Sequence, residues 1–162
     1  EAFGRLPLQW SMVRLLVAGA GEARYVAGLQ DRTARLGLSD RVVWAGHVEG
    51  ELKASALAGA LAFVLPSFSE NFGIAAAEAL MAGLPCVLGH GVAMAGEVAE
   101  AGAGLAVAPG PDSIAAALAF VLADPQGRSR MAAAAKALAQ RAYSAEIMGE
   151  RLVALYQQIL KR

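Results

Sequence analysis

The stretch that decides the fold is Pro66 to Pro85, P-S-F-S-E-N-F-G-I-A-A-A-E-A-L-M-A-G-L-P. A short apolar run, Ala60 to Leu65 (A-L-A-F-V-L), precedes it and has strand length. Gly83 and Pro85 close it with the usual punctuation of a helix C-terminus. Between them, Gly73 to Ala82 is apolar at every position except Glu78, a pattern that predicts a helix buried on all sides. A carboxylate seldom enters such a place without a partner.

A helix starting near Gly73 points its free backbone N–H groups back over Glu70, Asn71 and Phe72. That end suits an anion, because the unpaired amides and the helix dipole both favour negative charge. Glu70 stands just ahead of the helix and Glu78 roughly one and a half turns inside it. A ligand there would offer phosphate to the amides and hydroxyls to the two carboxylates, which describes a nucleotide sugar. The competing reading makes Glu70 a surface loop acid and pairs Glu78 with a neighbouring arginine.

The spacing Glu70-x7-Glu78, with N-F-G-I after the first acid and E-A-L-M-A-G-L-P around the second, resembles the donor-site signature of the retaining glycosyltransferases of family 4. The resemblance runs through nearly the whole chain and implies the C-terminal, nucleotide-sugar-binding half of a GT-B enzyme.

At 162 residues the chain has the length of one domain with ample core. Its 57% hydrophobic fraction is high, yet no apolar run approaches the roughly eighteen residues of a membrane span. The 14 basic and 14 acidic residues balance without a basic stripe, which disfavours nucleic acid as a partner. Cys86, the single cysteine, lies in an apolar run and reads as core, and no internal disulfide is available, which fits a reducing compartment. The start, Glu1-Ala-Phe-Gly, has no basic n-region and no Met, so a piece of a longer protein is expected. The expected location is cytoplasmic, with a peripheral place at the inner face of the membrane as a further option.

Short apolar runs alternate with helical patterns along the chain. Strands are expected at Met12–Ala18, Arg41–Ala45, Leu61–Leu65, Pro85–Leu88 and Leu105–Ala108. Helices are expected at Glu22–Leu36 (with Tyr25, Leu29 and Leu36 as the apolar positions), Glu49–Ala60, Gly73–Ala82 and Ala93–Ala101. Others follow from Asp112 as a cap to Ala123, from Pro125 to Ala142, and from Ser144 as a cap to the end, whereas residues 1–9 read as a ragged helix end or linker. This is an α/β protein with a doubly wound parallel sheet and extra C-terminal helices, the Rossmann-like half of a GT-B fold. Leu152, Leu155, Tyr156 and Leu160 form a stripe that reads either as plain core or as cover for a partner surface.

The resemblance implies a division of labour. Glu70 would be the catalytic residue, binding hydroxyls of the transferred sugar, and the backbone of Asn71, Phe72 and Gly73 would line that sugar. The Ile74 and Ala75 amides would meet the diphosphate, Glu78 would hold the ribose, and His47 and Val48 of W-A-G-H-V would frame the base. Without it, Phe72 and Trp44 read as core and His47 as an exposed turn residue.

Gly19-Ala20-Gly21 is a GxG after a strand, but Arg24 occupies the third glycine position of a dinucleotide fingerprint, so a tight βα turn near the nucleotide is the expectation for Gly19 and Gly21. His90 and Glu97 lie where relatives carry G-G-x-P-E. This chain departs from that pattern, and His90 has no partner acid for catalysis.

No metal-ligand spacing occurs, so neither a metal nor another cofactor is expected. The family's diphosphate-neutralising Arg and Lys, its first strand and its acceptor-binding N-terminal domain would lie upstream of Glu1. Electrostatic stabilisation of a leaving group is a large share of catalysis, so the chain alone is expected to be inactive and to bind nucleotide weakly. The partners implied are a nucleotide-sugar donor, that missing domain, and a polysaccharide or lipid-linked acceptor. The alternatives are a sugar-nucleotide epimerase, a non-catalytic nucleotide-binding module and a dinucleotide-binding half.

Overall fold

Five parallel strands alternate with helices in a computed structural model that describes residues 1–160. In chain order these are β1 (Leu15–Ala18), α1 (Ala23–Arg35), β2 (Val42–Gly46), α2 (Gly50–Ala58), β3 (Phe63–Leu65), α3 (Ile74–Ala82), β4 (Cys86–Gly89), α4 (Ala95–Glu100) and β5 (Gly104–Val107). Three helices follow, α5 (Pro111–Ala123), α6 (Pro125–Ala142) and α7 (Ala145–Leu160). The doubly wound α/β expectation holds, and each predicted strand and helix is present within a few residues of its predicted ends.

The strands form two hydrogen-bonded pieces. β1 pairs with β2, and β3, β4 and β5 pair in that order, every pair parallel. All four residues of β4, the centre of the larger piece, are buried, as a strand covered on both faces requires. Its side chains alternate between two apolar layers. Cys86 and Leu88 join Ala76, Leu80, Val98 and Leu138 on the side of α3, α4 and α6. Val87 joins Val42, Ile114 and Val121 on the other, where Leu15, Val17 and Trp44 of the smaller piece also pack. One core therefore underlies both pieces. A fully buried leucine such as Leu80 contributes about 1.5–3 kcal/mol.

Several expectations are corrected. Residues 1–9 are not a loose end: Phe3 and Leu6 are buried, and the Arg41 guanidinium lies 4.6 Å over the Phe3 ring. Met12 is exposed and β1 begins only at Leu15. α1 contains no buried residue, and its apolar Tyr25 faces solvent, as does Leu36 just past its end. Asp112 is not a cap: Gly110 holds that position, Pro111 is the first helical residue, and the Asp112 carboxylate pairs with Arg5. α3 is buried on one face only, through Ala76, Ala79 and Leu80, while Ile74 is 69% exposed at its open end. Leu152, Leu155, Tyr156 and Leu160 on α7 are all more than half exposed, so the stripe is not core among the described residues.

Other details follow the sequence closely. Cys86 is buried, and burial pushes its thiol up to about 12. Asp124 caps α6 by accepting from the Gln126 amide, and the Ser144 hydroxyl accepts from the Ile147 amide at the start of α7. The last two residues, onto which the final helix was expected to run, lie outside the described residues.

Candidate functional site

Most of the predicted site residues come from loops that leave the carboxyl ends of their strands, the edge where open α/β sheets place ligands, and Ile74, Ala75 and Glu78 come from the helix that follows one of them. Gly19 follows β1, Gly46 ends β2, Glu70 to Gly73 follow β3, and His90 and Gly91 follow β4. The Gly19 amide donates to the Gly46 carbonyl at 2.7 Å, so the G-A-G turn and the turn carrying His47 and Val48 adjoin. Gly19 has φ +143° and Gly46 φ +66°, backbone conformations that favour glycine. His47 is 71% exposed, with its Nε2 3.5 Å from the Glu49 carboxylate.

The loop after β3 is clamped by backbone. The Glu70 amide donates to the Gly91 carbonyl at 2.9 Å, and the Ala93 amide donates to the Glu70 carbonyl at 3.0 Å. Glu70 thereby forms a parallel bridge with Val92, as if extending the sheet by one residue. The approach is close enough that a Cβ on Gly89 would lie 2.5 Å from the Ser67 carbonyl oxygen, and one on Gly91 would lie 1.9 Å from that of Phe68. The G-H-G turn is therefore the seat of Glu70. The sequence alone puts it at the edge of the site, although two glycines with a single residue between them signal close backbone contact.

Gly73 then turns the chain into α3 with φ +85°. A Cβ there would press on Val92 and on the Glu70 side chain at 3.3 and 3.6 Å. The Gly73 carbonyl accepts from the Ala76 and Ala77 amides, and the helix end has no side-chain cap. The amides of Ile74 and Ala75 are left at the open end with no acceptor among the described residues. Phe72 turns inward and meets the Tyr143 ring edge-on at 5.8 Å, and the Tyr143 hydroxyl donates to Glu97. Burial and then the Glu97 carboxylate push the Tyr143 phenol well above the usual tyrosine range.

Glu78 lies in the second turn of α3 and meets a charge, but not an arginine. The Lys53 ammonium of α2 stands 2.6 Å from Glu78 Oε1, and both side chains are 38% exposed. Nothing in the sequence links these positions, 25 residues apart. No group of three or more His, Cys, Asp or Glu side chains is placed to hold a metal ion among the described residues. No described helix is long and apolar enough to cross a membrane.

Residues 1–138 match the profile of the family described as glycosyl transferases group 1. The chain belongs to this family. Among curated relatives, the alpha-D-kanosaminyltransferase of Streptomyces kanamyceticus is 32% identical over 161 residues, covering 98% of this chain and 41% of the relative. The D-inositol 3-phosphate glycosyltransferase of Streptomyces griseus is 36% identical over 76% of this chain and 26% of its own length.

The solved structure of sucrose-phosphate synthase from Thermosynechococcus elongatus superposes with a TM-score of 0.80 at 26% identity, over 91% of this chain and 39% of that one. Anabaena HepE, solved with UDP-glucose, superposes with a TM-score of 0.84 at 24% identity, over 97% and 43%, a likeness of fold. This group 1 chain thus spans about two fifths or less of the length of these relatives.

Proposed function

We propose that the chain is the donor-binding domain of a family 4 glycosyltransferase that moves a sugar from a nucleoside diphosphate sugar to an acceptor with retention at the anomeric carbon. The observation that carries this reading is the open end of α3, with two unsatisfied amides between Glu70 ahead and Glu78 behind. A diphosphate would accept from Ile74 and Ala75, favoured by the helix dipole. Glu70, held from both sides by the turn after β4, would bind hydroxyls of the transferred sugar beside Asn71, Phe72 and Gly73 and act as the catalytic residue. Glu78 would take the ribose, and the joined turns at Gly19, Gly21, His47 and Val48 would meet the base. Similarity to HepE, solved with UDP-glucose, supports a nucleotide-sugar donor. Amides and basic groups, without a metal, would carry the diphosphate, and a cytoplasmic setting at the inner face of a membrane suits a lipid-linked or polysaccharide acceptor.

The split sheet supports a second part of the reading. β1 and β3 each have one strand partner, yet the core beneath them is continuous. A further strand from the longer protein would fit between them and bring basic residues to the carboxyl edge, next to a separate acceptor domain. The chain alone would then lack turnover.

An amide NMR titration with UDP, GDP and ADP tests this. Shifts at Gly73–Ala76 and Gly46–Val48 with one nucleotide are expected, stronger when the chain is extended upstream. No shift on the extended chain at millimolar nucleotide would refute the donor reading, and steady turnover by the chain alone would refute its incompleteness.

A further inference from the structure

We propose that Lys53 is the positioning residue of the nucleoside subsite, a role that rests on the ribose reading of Glu78. Lys53–Glu78 joins two elements of the candidate site, and Lys53 lies one turn into α2, the helix that leaves the His47–Val48 turn. α2 has no buried residue of its own, and only Leu57 packs against the large core. It starts at Gly50 in a left-handed conformation, φ +55°, after an exposed turn. The ion pair is therefore a main tie between the base-side turn and the phosphate helix.

The geometry also divides the carboxylate. The ammonium takes Glu78 Oε1 at 2.6 Å, and Oε2 has no partner among the described residues. A free glutamate samples several rotamers, and each ordered side chain costs conformational freedom. With one oxygen anchored, the other is held ready to accept from a vicinal pair of ring hydroxyls. Charge-assisted acceptance of this kind is strong and directional. The recognised chemistry is a ribonucleoside diphosphate, distinguished from its deoxy analogues by those hydroxyls.

The test uses the full-length protein and the nucleoside diphosphate that it binds, among UDP, GDP and ADP, with the matching 2′,3′-dideoxy nucleotide as comparator. Calorimetry gives the ratio of the two dissociation constants, which isolates the hydroxyls because any change common to both nucleotides cancels. The expected result is a ratio that drops about tenfold in Glu78→Gln, the size of one charge-assisted bond. Lys53→Met falls to nearly the same ratio, Lys53→Arg restores much of it, and Lys53→Met adds nothing in the Glu78→Gln background. A purely structural Lys53 would weaken both nucleotides alike and leave the ratio at its parent value, which overturns the proposal while the ribose reading stands. A ratio unchanged in Glu78→Gln overturns the ribose reading and Lys53 with it. A parent protein that binds none of the three nucleotides overturns both along with the donor assignment.

Discussion

Gly91→Ala places one methyl group where the fold has no room for it. Gly91 does not adopt a left-handed conformation, so the substitution carries no backbone strain of its own. Its Cβ would lie 1.9 Å from the Phe68 carbonyl oxygen, 2.3 Å from the Phe68 carbonyl carbon and 3.0 Å from the Ser69 nitrogen, all backbone atoms. The loop after β3 must therefore move by more than an ångström, and the movement falls on the 2.9 Å bond from the Glu70 amide to the Gly91 carbonyl. Overpacking of this kind costs about 1–3 kcal/mol, and loss of the hydrogen bond adds about 1 kcal/mol. A loss of about 2–4 kcal/mol is a large part of a typical stability of about 5–15 kcal/mol. At about 2–4 °C per kcal/mol for a chain of this size, the unfolding midpoint should fall by roughly 5–15 °C.

Circular dichroism melting of the variant, beside Gly96→Ala, checks this. A Cβ on Gly96 meets nothing within 4 Å, so that control should hold or gain about 0.4–1 kcal/mol. A Gly91→Ala variant that melts within a degree of the parent, with its Glu70 amide equally protected from hydrogen exchange, would show that the loop after β3 accommodates the methyl group freely.

Three other outcomes are expected. The Tyr143 phenol is raised in the folded protein, so its stabilising contribution is complete below the ordinary tyrosine value and drains away as the pH rises through the folded value. Tyr143→Phe should flatten the alkaline limb of a urea-stability profile, and an unchanged limb counts against the burial and the Glu97 contact that together raise the phenol. Asp124 is depressed, first by the Gly127 amide, so its contribution is present above the ordinary carboxylate value and lost as the pH falls through the depressed one. The melting difference between Asp124→Ala and parent should therefore be largest near neutrality and vanish in acid. Leu152→Ser with Tyr156→Ser should leave the melting of this chain within about 0.5 kcal/mol per site, because both residues already face solvent. A large loss would mean that α7 packs against the chain after all.

Glycine and proline made the order of elements readable. Gly19, Gly46, Gly83, Pro85 and Pro111 stand at element ends in both sequence and structure. The Glu-x7-Glu spacing was legible because it lies within one loop and one helix. What escaped depended on partners far along the chain. Lys53 looks like any solvated helix residue until α2 is laid on α3. Phe3 and Leu6 gave no periodic signal, since short turns have none, yet the core of α5 and β4 receives them. The burial expected for α3 came from composition alone, and small alanines can face water at little cost. Nor does an apolar run say which strand lies beside it, so the division of the sheet was invisible.

That division has a thermodynamic side. Between residues 11 and 60 only Leu38 and Val42 are buried, whereas residues 76–142 hold most of the close-packed interior. Opening free energies should follow this asymmetry, with β1, α1, β2 and α2 forming a weak cooperative unit beside a strong one. A molecule that touches both the Gly19–Gly46 turns and the end of α3 binds only when the weak unit is closed. Part of its affinity is therefore spent on that closure, and saturating it would slow exchange most in amides that it never contacts.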